Sequence, residues 1–183
     1  MQESIYIKQL IFENQRIPGF QKLADHLIEH PEFISELVDV ATSEWEYPYP
    51  QYASWLLFHV ARKDKTLVEP FYNQVIDCIL STKNTSVLRS LLGVSLCFPL
   101  TDYQEGNLLD RLFILLNDPD SKPGLINYTV KKLAGFLDMY PELLQEIESI
   151  LEFREEVNLN PGIVAWSKMV LKKKKKGQSG NTF

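Results

Sequence analysis

The chain has 183 residues, with 24 acidic and 19 basic side chains and 45% hydrophobic residues. This length and balance exclude wholesale disorder and leave room for a domain with a substantial core. Two cysteines and eight scattered glycines exclude a disulfide framework and a glycine-rich phosphate loop.

Charge is divided unevenly along the chain. Lys172–Lys176 is a run of five lysines, so residues 1–171 carry 14 basic and 24 acidic side chains, a formal charge of −10. Because a body of this sign repels a phosphate backbone, the sequence disfavours nucleic acid as the partner. Residues 172–183 are expected to form a basic, disordered tail, and attraction to a membrane surface or nucleic acid is its alternative role.

The N-terminal residues mix charged and apolar side chains, unlike the uninterrupted apolar region of a signal peptide. The sequence has no apolar run of 18 residues, so we expect no membrane span. We therefore expect a cytoplasmic protein in which Cys78 and Cys97 are reduced.

Apolar residues recur at helical spacing along nearly the whole chain. Ile126, Val130, Leu133 and Leu137, for example, are separated by steps that place them on one face of a helix. Sustained alternation of polar and apolar residues, the pattern of a strand, is missing from the sequence. We therefore predict an all-α fold of about ten helices, near residues 4–14, 18–29, 32–43, 51–62, 66–81, 85–97, 105–117, 123–139, 141–156 and 161–174.

Capping signals and prolines mark the ends of these helices. Thr66–Glu69 has the pattern of a capping box, in which the first and fourth side chains bond each other's backbone N–H, and Thr101–Gln104 repeats it with glutamine. Asn160 before Pro161 predicts the start of the last helix. Prolines break the remaining segments, so the helices are expected to be about three turns long and joined by short loops.

An internal repeat predicts how the helices are arranged. Residues 30–37, HPEFISEL, return 110 positions later as residues 140–147, YPELLQEI. Offsets of 38, 33 and 39 residues separate four copies of a shorter unit, which is typical of a solenoid of stacked helix pairs. The four copies are Leu37-Val38-Asp39, Val75-Ile76-Asp77, Leu108-Leu109-Asp110 and the degenerate Ile147-Glu148-Ser149.

Two helical motifs, ASWLLFHV at 53–60 and SVLRSLL at 86–92, and the turn Asn117-Asp118-Pro119 carry a resemblance to a known group. Across roughly residues 18–170 the chain resembles HEAT-like members of the armadillo-type helical repeat proteins. The resemblance implies a right-handed α–α superhelix, here a single domain over residues 1–171. Proteins of this group chiefly bind other proteins, which implies a non-enzymatic interaction scaffold or adaptor without a cofactor.

The resemblance also implies where a partner would bind. In HEAT-like stacks the second helix of each pair lines the concave surface, and we assign acid-rich helices to that position. Asp77, Asp110 and Glu146 are three of these acidic residues. They would form an acidic concave face that favours a basic or amphipathic peptide, and the alternative is a solvated polar face without a ligand.

Residues 45–52, WEYPYPQY, place four aromatic side chains and two prolines between two predicted helices. If exposed, they would form a recognition patch, because aromatic anchors dominate binding hot spots. If buried, the segment would be a rigid linker between repeats. We take Trp45, Tyr47, Tyr49 and Tyr52, with the three acidic residues, as candidate partner-binding residues.

His26-Leu27-Ile28-Glu29-His30 matches the H-x-x-E-H motif of inverzincin metalloproteases, with two histidine ligands and Glu29 as base. Because Pro31 follows at once, we predict that the helix ends at His30 and leaves that ligand in a frayed turn. His26 and His30 are therefore weak candidates for metal binding.

We expect no catalysis from the remaining residues that could act as a nucleophile or a base. His59 is expected to be a partly buried helix residue, and nothing near Cys78 or Cys97 suggests the basic pocket that activates a thiolate. The alternative function is a nucleic-acid-binding HEAT-like protein related to alkylated-DNA glycosylases. That function would require five basic residues to converge on the concave face, namely Arg62, Lys63, Arg89, Lys131 and Lys132.

Overall fold

The structure, a computed structural model, describes residues 5–14, 22–157 and 159–175. Every regular element in this part of the chain is helical, which confirms the predicted all-α fold of ten helices. Short 3₁₀ turns lie at Pro31–Phe33, Lys65–Leu67 and Glu69–Phe71. The α-helices are α1 (Ile5–Asn14), α2 (Leu23–Glu29), α3 (Ile34–Thr42), α4 (Tyr49–Lys63), α5 (Tyr72–Ser81), α6 (Thr85–Ser95), α7 (Glu105–Asn117), α8 (Pro123–Phe136), α9 (Leu143–Glu156) and α10 (Pro161–Lys175).

Both predicted capping boxes are wrong. The capping residue at the first box is Asp64 and not Thr66. The Asp64 carboxylate accepts a hydrogen bond from the backbone N–H of Thr66 over 3.0 Å, and the turn that it caps is a 3₁₀ turn. The helix predicted from residue 66 therefore begins only at Tyr72, after two 3₁₀ turns. At the second box, Gln104 has a left-handed backbone with φ of 55° and makes no capping bond with its side chain, although α7 starts directly after it.

The chain divides into two compact units, residues 1–99 and 100–183, which are called unit 1 and unit 2 below. The single domain over residues 1–171 and the tail over 172–183 remain predictions. Helix α10 continues through Lys175, so the predicted boundary between domain and tail falls inside this helix. The rest of the tail, from Lys176 onwards, lies outside the described residues.

In unit 1, α4 is the central helix and packs against α1, α2, α3 and α6. Its inner face consists of Ala53, Leu56, Leu57 and Val60, which are fully buried at the spacing of one helix face. Burial of each leucine stabilises the fold by about 2 kcal/mol. Helix α5 packs against α6 and α3, so α3 and α5 are neighbours, as are α4 and α6.

In unit 2, α8 packs against α7 and α10, and α9 packs against α10. Two side-chain contacts join α7 to α9. The hydroxyl of Tyr140, just before α9, donates to Glu105 at the start of α7 over 2.6 Å. Near the other end, Arg154 of α9 donates to the backbone oxygen of Leu116 in α7 over 2.7 Å. The N-terminal ends of the two helices are thus joined to each other, and so are their C-terminal ends. Helices α7 and α9 therefore run side by side in the same direction.

The burial of side chains follows the repeat seen in the sequence. The first residue of each three-residue copy is buried and the third is exposed. The copies lie in α3, α5, α7 and α9, which is every second helix. Consecutive helices pack as α3 with α4, α5 with α6, α7 with α8 and α9 with α10. The acid-bearing helices are therefore the first members of the packed pairs, and their assignment as second members is wrong.

Candidate interaction surfaces

The aromatic segment, residues 45–52, leads from the end of α3 into the first turn of α4, and local hydrogen bonds hold it. The hydroxyl of Ser43 donates to the carbonyl oxygen of Val40 over 2.8 Å, which ends α3, and the backbone N–H of Trp45 donates to the same hydroxyl oxygen over 3.4 Å. A turn in which the Tyr49 N–H donates to the Glu46 carbonyl over 3.3 Å leads into α4.

A lysine from α1 covers part of this segment. The ammonium of Lys8 lies 3.4 Å from the ring centroid of Trp45 and 6.0 Å from that of Tyr49. Both rings are half-buried, and so is Tyr52 in the first turn of α4. Tyr47 differs, because 72% of its surface is exposed. The segment is thus neither a fully open patch nor a buried linker: three aromatic rings are partly packed and Tyr47 projects into solvent.

Unit 1 has an acidic face on α3 and α5. The side-chain amide of Gln74 in α5 donates to Asp39 Oδ1 and to Thr42 Oγ1, each over 3.0 Å, and so links the two helices. Asp77 lies about one turn further along α5 and is exposed.

Glu44 belongs to the same region. Burial raises the pKa of the Cys78 thiol to about 11, and the charge of Glu44 contributes to the same direction, which places this carboxylate near Cys78. We call Asp39, Glu44 and Asp77 the α3–α5 acidic face.

Unit 2 exposes its predicted acidic residues on α7 and α9. Asp110 lies on α7 and Glu146 on α9, the two parallel neighbours, and both side chains are exposed. The structure therefore brings together Trp45 with Tyr49, through Lys8. Asp110 and Glu146 lie on separate helices, α7 and α9, which side-chain hydrogen bonds join. Asp77 lies in unit 1 with the aromatic segment.

Two residues of these surfaces, Lys8 and Glu44, are not among those predicted from the sequence. Lys8 is far from Trp45 along the chain, and no local pattern links the two. Glu44 could have been found, since it immediately precedes the aromatic segment.

The two histidines of the H-x-x-E-H motif belong to an aromatic cluster. Helix α2 ends at Glu29, as the following proline predicts. The Tyr6 hydroxyl lies 2.7 Å from His26 Nε2, and the Tyr6 ring stacks on Phe33 with centroids 3.9 Å apart. The rings of His26 and His30 are 4.6 Å apart, and His30 Nδ1 lies 3.3 Å from Glu32. Within the described residues, three or more His, Cys, Asp or Glu side chains nowhere form a group able to hold a metal ion.

Of the other candidates for acid–base or thiol chemistry, His59 and Cys78 have pKa values that burial shifts away from their usual range. His59 lies edge-on to Trp55, with centroids 4.5 Å apart. Burial lowers its pKa, and the charges of Arg62 and Lys63 act in the same direction. The raised pKa of Cys78 keeps it a thiol at neutral pH, whereas a nucleophilic cysteine needs its pKa lowered.

Three of the five basic residues proposed for nucleic acid, namely Arg62, Lys63 and Lys131, have contacts with other side chains of the chain. Lys63 forms an ion pair with Asp25, and Arg62 lies 5.7 Å from the Phe58 ring. In unit 2, Lys132 is buried and the ammonium of Lys131 lies 5.7 Å from the ring of Trp166. Arg89 is exposed on α6.

None of the described helices is both long enough and apolar enough to cross a membrane.

Comparison with known proteins gave a family and no individual relative. No curated protein and no solved structure matched the chain. A family model for the HEAT repeat domain matches residues 14–174, which contain nearly all of the described helices and the whole of the segment in which the resemblance was seen. The chain therefore belongs to the HEAT repeat domain family.

Proposed function

We propose that this protein is a non-enzymatic, cytoplasmic scaffold that binds a basic protein or peptide on the acidic faces of its repeats. HEAT repeat proteins are commonly protein-interaction scaffolds. One observation carries the proposal for this chain. Asp39, Asp77 and Asp110 occupy the same position in three successive repeats, and each is exposed.

Repeated exposed carboxylates favour a basic partner for an electrostatic reason. Such charges contribute little to folding, and like charges on the surface of one unit repel each other. A partner with basic residues would relieve that repulsion, and the field of the face would speed its association. Glu44 in unit 1 and Glu146 in unit 2 extend this acidic character.

The aromatic segment would supply the apolar part of the contact in unit 1. Tyr47 is exposed and has only two rotatable side-chain torsions, so ordering it on binding costs little entropy. Trp45 and Tyr49, held by Lys8, and Tyr52 in α4 would form the rigid base beside it.

The proposal can be tested with a labelled lysine-rich peptide and a glutamate-rich counterpart of equal length. Fluorescence anisotropy should show binding of the lysine peptide that weakens as salt is added. The variants Asp77→Asn, Asp110→Asn and Tyr47→Ser should each weaken binding by about two- to fivefold, because each removes one exposed contact. Asp120→Asn, which changes a turn outside both acidic faces, is the matched control.

Equal binding of the two peptides would refute the proposal, as would unchanged affinity in Asp77→Asn and Asp110→Asn. The same titration with duplex DNA tests the alternative function. Tight, salt-sensitive binding of the duplex at physiological ionic strength would support the nucleic-acid-binding alternative instead.

A further inference from the structure

Helices α7 and α9 of unit 2 each expose a large apolar side chain near the C-terminal end. Ile114 of α7 is 59% exposed and Phe153 of α9 is 61% exposed. Val157, directly after α9, is also exposed. Single exposed apolar residues are common on protein surfaces, whereas clustered ones mark interaction sites.

These two residues are equivalent in the repeat. Each lies four positions after the third residue of its three-residue copy, Asp110 or Ser149. The corresponding residues of unit 1 are Ser43 and Ser81. Their hydroxyls donate to carbonyl oxygens of their own helices, Ser43 to Val40 over 2.8 Å and Ser81 to Asp77 over 2.9 Å. The same position is thus small and polar directly after α3 and in α5 but large and apolar in α7 and α9.

The two apolar residues lie toward the same end of a parallel helix pair. Phe153 precedes Arg154, whose guanidinium contacts the carbonyl of Leu116, and Leu116 lies two residues after Ile114. Both side chains are therefore near the C-terminal ends of their helices, where Arg154 joins α7 to α9. We call Ile114, Phe153, Asp110 and Glu146 the α7–α9 face.

The acidic residues of this face lie toward the opposite end. Asp110 precedes Ile114 by about one turn, or about 6 Å, and Glu146 precedes Phe153 by about two turns, or about 10 Å. Helix α9 carries five acidic residues and one basic residue, and that basic residue, Arg154, is buried. The face therefore has an apolar end and an acidic end.

We propose that the α7–α9 face binds an amphipathic helix of a partner protein. Apolar side chains of that helix cover Ile114 and Phe153, and basic side chains one to two turns away lie against Asp110 and Glu146. Charge complementarity selects this occupant, because an acidic or uncharged amphipathic helix would leave both carboxylates without a counter-charge. The inference rests on the proposed function and specifies the chemistry of the partner in unit 2.

The probe is a synthetic helix-forming peptide of leucine, lysine and alanine, with leucine on one face and lysine beside it. Two controls are a scrambled peptide of the same composition and a version with glutamate in place of lysine. Isothermal titration should give micromolar affinity for the amphipathic lysine peptide and at least about tenfold weaker binding for both controls.

The decisive variant is Ile114→Ser with Phe153→Ser, which installs the residue that the first two repeats carry. It should weaken binding of the probe by at least about tenfold, since it removes both apolar contacts of the α7–α9 face. Phe12→Ser, which alters a side chain 68% exposed on α1, is the matched control and should leave affinity unchanged. Ile114→Lys with Phe153→Lys should abolish binding by repelling the lysines of the probe, and an unchanged circular dichroism melt shows that the variants are folded.

Two results would overturn the inference. One is equal binding of the amphipathic and scrambled peptides, with no effect of the double serine variant. In that case the proposed function is still tested separately, by the affinity of the lysine-rich peptide for the wild type and for Asp77→Asn. The other is a dimer in light scattering that the double serine variant converts to monomer, because the occupant would then be a second copy of this chain.

Discussion

Arg154 of α9 donates two hydrogen bonds from Nη1 to the end of α7, to the carbonyl oxygen of Leu116 over 2.7 Å and to that of Asp118 over 3.1 Å. A helix leaves its last carbonyl groups without partners inside the helix, and a cation there also complements the helix dipole. Arg154 is 1% exposed, so its methylene stem fills space as well. One side chain thus completes α7 and fixes α9 beside it.

Replacing Arg154 should destabilise the protein to two different degrees. Arg154→Ala should lower the free energy of unfolding by about 3 kcal/mol, because it leaves a cavity and two unsatisfied carbonyl groups. Arg154→Met retains most of the stem and should cost about half as much. Urea denaturation of both variants measures the difference. Equal losses would show that stem packing contributes nothing.

The second prediction contrasts two helical glycines. A Cβ atom added at Gly93 in α6 would lie 2.9 Å from two ring carbons of Phe58 in α4, a distance that forces the ring to move. Gly93→Ala should therefore destabilise the protein by about 1 kcal/mol, because overpacking outweighs the gain in helix propensity.

Gly106→Ala in α7 is the control for this contrast. Apart from the neighbouring residues and the backbone of its own helix, no atom lies within 4 Å of the added Cβ there, so the substitution should stabilise the protein by up to about 1 kcal/mol. Thermal denaturation of both variants checks the sign. Stabilisation by Gly93→Ala would show that the Phe58 ring of α4 lies further from Gly93 than the 2.9 Å distance to the added Cβ implies.

The repeat could be read from the sequence because burial and repetition impose the same pattern. Leu37, Val75, Leu108 and Ile147, the first residues of the four copies, are all buried. The capping box predicted at Thr66 is wrong because the backbone N–H of Thr66, which would donate to Glu69 in such a box, donates to Asp64 instead. Two 3₁₀ turns then replace the first helical turn.

The surfaces were less predictable than the helices. Helical spacing assigns apolar residues to a core, so it gives no sign that Ile114 and Phe153 are exposed. The cover of Lys8 over Trp45 depends on the packing of α1 against α3 and α4, a contact between segments far apart in sequence. The acidic residues were found, but their place within the helix pairs required the packing itself.

The third prediction concerns acid stability. His59 has a pKa below its usual value of 6.5, so between the folded-state pKa and 6.5 the unfolded chain binds more protons than the folded one. The contribution of His59 to stability is therefore present above pH 6.5 and declines as pH falls toward the folded-state pKa. His59→Gln should lose less stability than the wild type between pH 7 and pH 5.

Urea denaturation at both pH values tests this, and NMR titration of the His59 ring gives the pKa directly. Arg62→Gln should raise that pKa, because it removes one of the neighbouring cations. A His59 pKa at or above 6.5 would contradict the prediction.

The last prediction separates the packed and exposed parts of the aromatic segment. The ammonium of Lys8 lies 3.4 Å from the centroid of Trp45, so Lys8→Met and Trp45→Leu should be coupled in a double-mutant cycle by about 0.5–1 kcal/mol, the size of a cation–π contact near the surface. Tyr47→Ser should change the free energy of unfolding by less than about 0.5 kcal/mol, since the ring is mostly exposed. If Tyr47→Ser instead destabilised the protein as much as Trp45→Leu, Tyr47 would be a packing residue and could not be a free contact for a partner. If the effects of Lys8→Met and Trp45→Leu were additive, the cation would contribute nothing to holding Trp45, and Lys8 would not be part of the rigid base beside Tyr47.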